Sequence, residues 1–165
     1  MKRWLHFSKY LLYLFPLEIL LLTTDYKYRA WQVYLIFLFT ITLAVMNITK
    51  MAYHEARPFW ENSTLFAGDC SSEYGNPSGH SMTSAVFAIA MILEAAEAVK
   101  GTIVLRVGLG VLTGLVMTAY FILLGWSRMI LGVHSINQVL YGWILGIWLA
   151  LACHFCLRDS IIARA

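Results

Sequence analysis

Two histidines and three cations stand out in a chain that carries little charge elsewhere. Lys50 precedes Arg57-Pro58 by six intervening residues, Pro77-Ser78-Gly79-His80 forms a tetrapeptide, and Ser127-Arg128 precedes His134 by five. A guanidinium fork and an ammonium point charge are groups that grip the oxygens of a phosphate. Ser78 reads as a helix N-cap, and a helix start also offers free N–H groups and a partial positive charge to an anion. Gly79 allows such an anion close to the backbone, with His80 beside it. Each cluster has a plain alternative: cations anchor helix ends at the membrane interface, a serine simply caps, and a lone histidine packs. Their convergence is what points to chemistry.

The elements that must bring these residues together are apolar. The chain has 165 residues, is 60% hydrophobic and 13% charged, and has a mean hydropathy of +0.69. That balance lies outside the range of soluble domains. Apolar segments at 4–22, 30–49, 79–99, 102–125 and 134–157 are each long enough to span a bilayer. The expected architecture is an all-α, polytopic membrane bundle of about five transmembrane helices, one domain over 1–165. Residues 50–78 form the one long polar stretch, broken by Pro58, Gly68, Gly75 and Pro77. The other connections, 23–29, 100–101 and 126–133, are short, so consecutive helices should be antiparallel neighbours. Lys2 and Arg3 precede an apolar stretch as in a signal peptide, but Pro16 and Glu18 interrupt it and no cleavage pattern follows, so it reads as a retained span.

An odd number of spans places the long loop and the 126–133 connection on one face. Apart from Lys50, Arg57 and Arg128, that face carries Lys2, Arg3 and Lys9, and the other carries Lys27, Arg29, Lys100, Arg106, Arg158 and Arg164. Three against six favours the second face as cytosolic, and the motif face as lumenal or exterior. Asn62-Ser63-Thr64 is an acceptor sequon in the long loop, in keeping with a lumenal loop of an endomembrane such as the endoplasmic reticulum. The scattered formal charge of +3 argues against a nucleic-acid partner. Cys70 in the loop and Cys153 and Cys156 in an apolar helix give no disulfide framework. Cys153-His154-Phe155-Cys156 reads as packing, because no second ligand cluster accompanies it.

Taken together, Lys50-x6-Arg57-Pro58, Pro77-Ser78-Gly79-His80 and Ser127-Arg128-x5-His134 resemble the three-part signature of the type 2 phosphatidic acid phosphatase and vanadium haloperoxidase superfamily. That resemblance implies a phosphoric monoester hydrolase acting on a lipid phosphate or sugar phosphate. It makes His134 the nucleophile on phosphorus and His80 the proton donor to the leaving alcohol. Lys50, Arg57, Ser78, Gly79 and Arg128 would hold the phosphoryl oxygens. It implies no metal and no cofactor, and phosphoryl transfer does not need one where fixed cations neutralise charge and align the reactants. A haloperoxidase is disfavoured, since those relatives are soluble.

One position departs from the superfamily. The common pattern continues His-x3-Asp, whereas the fourth residue after His134 is Gln138. The glucose-6-phosphatase branch is similar in carrying glutamine there, and Arg57-Pro58-Phe59-Trp60 and the sequon also look like that branch. An amide oxygen at 138 can accept the imidazole N–H and orient the ring, and an aspartate there should be tolerated. The competing expectation is a catalytically silent relative, serving as a lipid-binding or structural subunit with a membrane-complex partner.

Overall fold

The protein is described from a computed structural model covering residues 29–65, 71–98 and 102–164. Six helices lie among the described residues: α1 Arg29–Tyr53, α2 Pro58–Glu61, α3 Gly79–Ala98, α4 Ile103–Ile130, α5 Ile136–Cys156 and α6 Arg158–Ile162. Four of them, α1, α3, α4 and α5, are long and apolar enough to cross a membrane. The chain is thus an all-helical integral membrane protein. The expected first span at 4–22 lies outside the described residues, as does Cys70.

Each boundary has a local cause. No Gly or Pro interrupts α1, and the hydroxyls of Thr40, Thr42 and Thr49 donate to the carbonyls of Ile36, Leu38 and Val45. Polar side chains on a spanning helix are satisfied in this way without a partner outside it. His54 ends α1 at φ 49°, a left-handed turn that sends the chain back over the bundle. Thr102 caps α4 by accepting from the Leu105 N–H. Ser135 caps α5 in a capping box with Gln138, each side chain accepting from the other residue's backbone N–H.

Three expected limits shift. α1 continues to Tyr53, so Lys50 sits in its last turn instead of opening the loop, and the loop itself contains the single turn of α2. α4 runs to Ile130 instead of ending at 125, because no Gly or Pro lies between Gly125 and Gly132, and the expected 126–133 connection contracts. α5 begins at Ile136 instead of 134, because Ser135 is its cap, and His134 therefore precedes the helix.

α3 is the hub, packed against both α5 and α4, while α1 lies against α3, α5 and α6. Its apolar face joins Met82, Val86 and Ala90 to Tyr34 and Leu38 of α1 and to Leu149, Ala150 and Cys153 of α5. Gly142 and Gly146 of α5 set the spacing. A Cβ at Gly146 would lie 2.5 Å from the Met82 carbonyl oxygen and one at Gly142 would lie 2.8 Å from that of Ser78. Small residues four apart let two spanning helices touch backbone to backbone. α4 is peripheral, with Val104, Leu115 and Leu123 among its exposed apolar side chains, as a lipid-facing helix should be.

At the end of the bundle away from His134, Arg158 bridges Glu94 and Glu97 of α3, its Nη2 lying 2.8 Å from Glu94 Oε2 and 2.7 Å from Glu97 Oε2. His154 Nε2 lies 3.1 Å from Glu97 Oε1. Cys153 is buried and Cys156 is exposed, so the Cys-x2-Cys pair is divided between core and surface. This polar cluster ties α5 and α6 to α3.

Candidate active site

The C-terminal ends of α1 and α4 and the N-terminal ends of α3 and α5 meet at one end of the bundle. They enclose a cavity of about 260 Å³ lined by Lys50, Arg57, Gly79, His80, Arg128 and His134, with Leu43, Met46 and Val133 as its apolar wall and Ser71, Glu73 and Thr83 completing it. Residues as far apart in sequence as Leu43 and His134 are brought together here. Arg57, Arg128 and His134 are buried, while His80 and Gly79 are half-buried at the start of α3.

His134 is held from both sides. Its Nδ1 lies 3.0 Å from the Gly75 carbonyl oxygen and 3.2 Å from Gln138 Oε1. Both are acceptors, so Nδ1 carries the proton. Nε2 is then a lone pair, and it accepts from Arg57 Nη1 at 3.3 Å. Burial, followed by the Arg57 charge, pushes the His134 pKa down to about 3, against a contribution from the Gln138 hydrogen bond that raises it. The ring is therefore neutral at physiological pH, with its Nε2 electron pair directed to Arg57 at the cavity wall.

Arg57 is aligned by carbonyls. Its Nε donates to the Glu73 oxygen at 2.7 Å and its Nη1 to the Val133 oxygen at 3.3 Å. Lys50 is only 7% exposed and pairs with the carboxylate of Glu73, which is 61% exposed. That hydrogen bond holds the Glu73 carboxyl below the usual range. A phosphate oxygen approaching Lys50 would replace a carboxylate oxygen, which is chemically a close exchange.

One residue expected at the phosphate, Ser78, does not line the cavity. Ser78 is fully buried, with its N–H donating to the Gln138 carbonyl, its carbonyl accepting from the Met82 N–H and its hydroxyl accepting from Ser81. It secures the start of α3 against the start of α5. Gln138 stands behind His134 and touches it across the four-residue interval anticipated from sequence, although His134 itself lies outside the helix.

Glu55, Glu73 and Asn76 are contributors that the sequence motifs leave out. Glu55 accepts from Gln138 Nε2 at 2.9 Å and from Asn76 Nδ2 at 2.7 Å. The only sequence signal was that four of the nine acidic residues, Glu55, Glu61, Asp69 and Glu73, fall between Lys50 and Pro77. Over the loop, Tyr74 contacts His54 and Trp60 edge-on, with ring centroids 4.7 and 6.2 Å away.

Comparison with known proteins identifies the family and the fold. The family described as the PAP2 superfamily matches residues 31–162. An undecaprenyl-diphosphatase of Sulfolobus acidocaldarius is 25% identical over 117 residues, which are 70% of this chain and 50% of that protein. The chain thus spans about half the length of that curated relative. The crystal structure of a transmembrane PAP2-type phosphatidylglycerolphosphate phosphatase from Bacillus subtilis superposes with a TM-score of 0.74 at 19% identity, covering 99% of this chain and 79% of that one. At that identity the likeness concerns the fold. The match extends to the superfamily as a whole, and the features similar to the glucose-6-phosphatase branch rest on their residues alone.

Proposed function

The chain belongs to the PAP2 superfamily, and from that premise we propose that it is a membrane phosphatase that hydrolyses a phosphomonoester through a phosphohistidine intermediate on His134. The observation that carries this reading is the direction of the His134 ring: Nδ1–H is anchored on Gly75 and Gln138, and Nε2 faces a cavity walled by Lys50, Arg57 and Arg128.

The steps follow from the residues. The three cations neutralise the phosphoryl oxygens and hold phosphorus in line with Nε2. The Nε2 lone pair forms the N–P bond as the ester P–O bond breaks, and His80 gives its proton to the leaving oxygen. Water then attacks phosphorus and His80 takes a proton from it. The N–P bond breaks, releasing inorganic phosphate and restoring neutral His134.

The apolar wall favours a lipid as the leaving group. Leu43, Met46 and Lys50 lie at spacings of three and four residues on one face of α1, so an apolar strip runs from the cationic site toward the bilayer. A lipid phosphate could place its headgroup at Lys50 and its chain along Met46 and Leu43. The test is a phosphatase panel on the detergent-purified protein: phosphatidate, lysophosphatidate, sphingoid phosphate, isoprenyl diphosphate and glucose 6-phosphate. Lipid monoesters should release phosphate, with activity that survives EDTA and is blocked by vanadate. Preference for glucose 6-phosphate would overturn the lipid assignment. No release from any substrate would favour the silent-relative reading.

A pH profile separates the two histidines. His134 has a depressed pKa, so it is neutral, and nucleophilic, at every pH well above about 3. In His80→Ala, with p-nitrophenyl phosphate, whose leaving group needs no protonation, the rate of enzyme phosphorylation should not fall between roughly pH 7.5 and 5.5 through protonation of the nucleophile. A loss on acidification with an apparent pKa of about 6.5, the ordinary histidine value, would show that His134 is not held in this environment.

A further inference from the structure

Behind Gln138, on the side away from the cavity, lies a carboxylate that has no part in the proposed bond-making and bond-breaking steps. The left-handed turn at His54 leads into Glu55, whose backbone oxygen accepts from the Gly75 N–H at 2.8 Å. Its Oε1 accepts from Gln138 Nε2 at 2.9 Å, and its Oε2 accepts from Asn76 Nδ2 at 2.7 Å. Gln138 is 1% exposed, and its amide is fully engaged. Its Nε2 also donates to the Ala56 carbonyl at 2.8 Å, while its Oε1 accepts from Ser135 N–H and His134 Nδ1–H, both at 3.2 Å. Gly75 permits this fit, since a Cβ there would lie 2.5 Å from Gln138 Nε2.

These contacts leave one orientation for every group. A carboxylate only accepts, so the Gln138 amide must present its nitrogen to Glu55 and its oxygen to His134. An oxygen facing Nδ1 requires the proton on Nδ1, and the lone pair is then on Nε2. Resting on the phosphohistidine reading above, we propose that Glu55 is a positioning residue of the reaction. Through Gln138 it joins the Gly75 carbonyl in fixing the His134 tautomer and supplies, one amide removed, the negative charge that an aspartate at 138 supplies directly in the superfamily's common pattern. As His134 becomes phosphorylated its ring gains positive charge, and the Glu55–Gln138 chain of hydrogen bonds can polarise to meet it.

This chain of contacts reverses one expectation from the sequence. An acidic residue at 138 would face Glu55 carboxylate to carboxylate, so the substitution should harm the protein as long as Glu55 is present. Exchanging the two groups should relieve the conflict: in Glu55→Gln/Gln138→Glu, the amide at 55 donates to the carboxylate at 138, which accepts from His134 directly.

The test uses full-length protein and a short-chain phosphatidate, measuring kcat and KM, with His134→Ala as the baseline. Glu55→Gln should lower kcat by about tenfold or more with KM changed less than about twofold. Gln138→Glu should lose more, and the double variant should exceed Gln138→Glu by at least about tenfold. A purely structural role for Glu55 predicts a lower thermal midpoint in Glu55→Gln without the selective fall in kcat per folded molecule. Unchanged kcat in Glu55→Gln, or a double variant no faster than Gln138→Glu, in an enzyme that still depends on His134, overturns the relay alone. Wild-type activity that survives His134→Ala overturns the phosphohistidine reading and the relay with it. Nitrogen-15 NMR of the His134 ring reads the tautomer independently of turnover and of how well Gln138→Glu folds. The Nδ1–H form should dominate in wild type and the Nδ1 resonance should shift in Glu55→Gln, where the acceptor on Gln138 loses its carboxylate support, and an identical spectrum in the two would also overturn the relay.

Discussion

His134→Ala is expected to remove phosphate release by at least about a thousandfold while leaving the fold in place. Among the described residues its side chain is the buried imidazole whose Nε2 faces the cations, and in the proposed mechanism it is the group that forms the N–P bond. Its loss should cost the scaffold little. Gln138 Oε1 keeps the Ser135 N–H as donor, and its nitrogen keeps Glu55 and Ala56. The missing hydrogen bonds should lower stability by about 1 to 2 kcal/mol. A thermal midpoint within a few degrees of wild type, together with lost turnover, is the expected pair of results. Activity above about one tenth of wild type would place the reacting group elsewhere.

The second large effect is expected at Arg57, where charge alone should not suffice. Its guanidinium binds the Glu73 and Val133 carbonyls and reaches His134 Nε2, so one planar group orders the loop and the proposed nucleophile beside the cavity where a phosphate would sit. A lysine retains the positive charge but has no fork with which to make these contacts at once. Both Arg57→Ala and Arg57→Lys should therefore reduce kcat/KM by roughly a hundredfold or more. Steady-state kinetics of the two variants decides the matter. Arg57→Lys within about threefold of wild type would mean that Arg57 contributes charge and not geometry.

Much of the bundle was legible because the bilayer imposes it: long apolar runs, short connections and charge at helix ends leave few alternatives. The start of α3 was marked by Ser78-Gly79 after a proline. The end of α4 was not marked by hydropathy, because Trp126, Ser127 and Arg128 lower the apolar signal while leaving the helix unbroken as far as Gly132. The start of α5 carried a readable mark in Ser135-x2-Gln138, a capping box that places His134 just outside the helix. The candidate site was legible where charge is rare, as at Lys50, Arg57 and Arg128. Ser78 and Gln138 carry motif positions, yet their places behind the cavity depend on how α3 meets α5. Glu55 was hidden because nothing local sets its partner: Gln138 is 83 positions away, and the turn at His54 decides where the carboxylate goes.

The reaction reading is tested most directly by trapping the enzyme-bound phosphate. In His80→Ala, p-nitrophenyl phosphate can still phosphorylate His134, because its leaving group needs no acid, while water attack loses its base. After acid-free quenching, mass spectrometry and label from [32P]p-nitrophenyl phosphate should locate an acid-labile, alkali-stable phosphate on His134. The same label should be absent from His80→Ala/His134→Ala. A phosphate on another residue, or no bound phosphate while p-nitrophenol is still released, would contradict nucleophilic attack by His134.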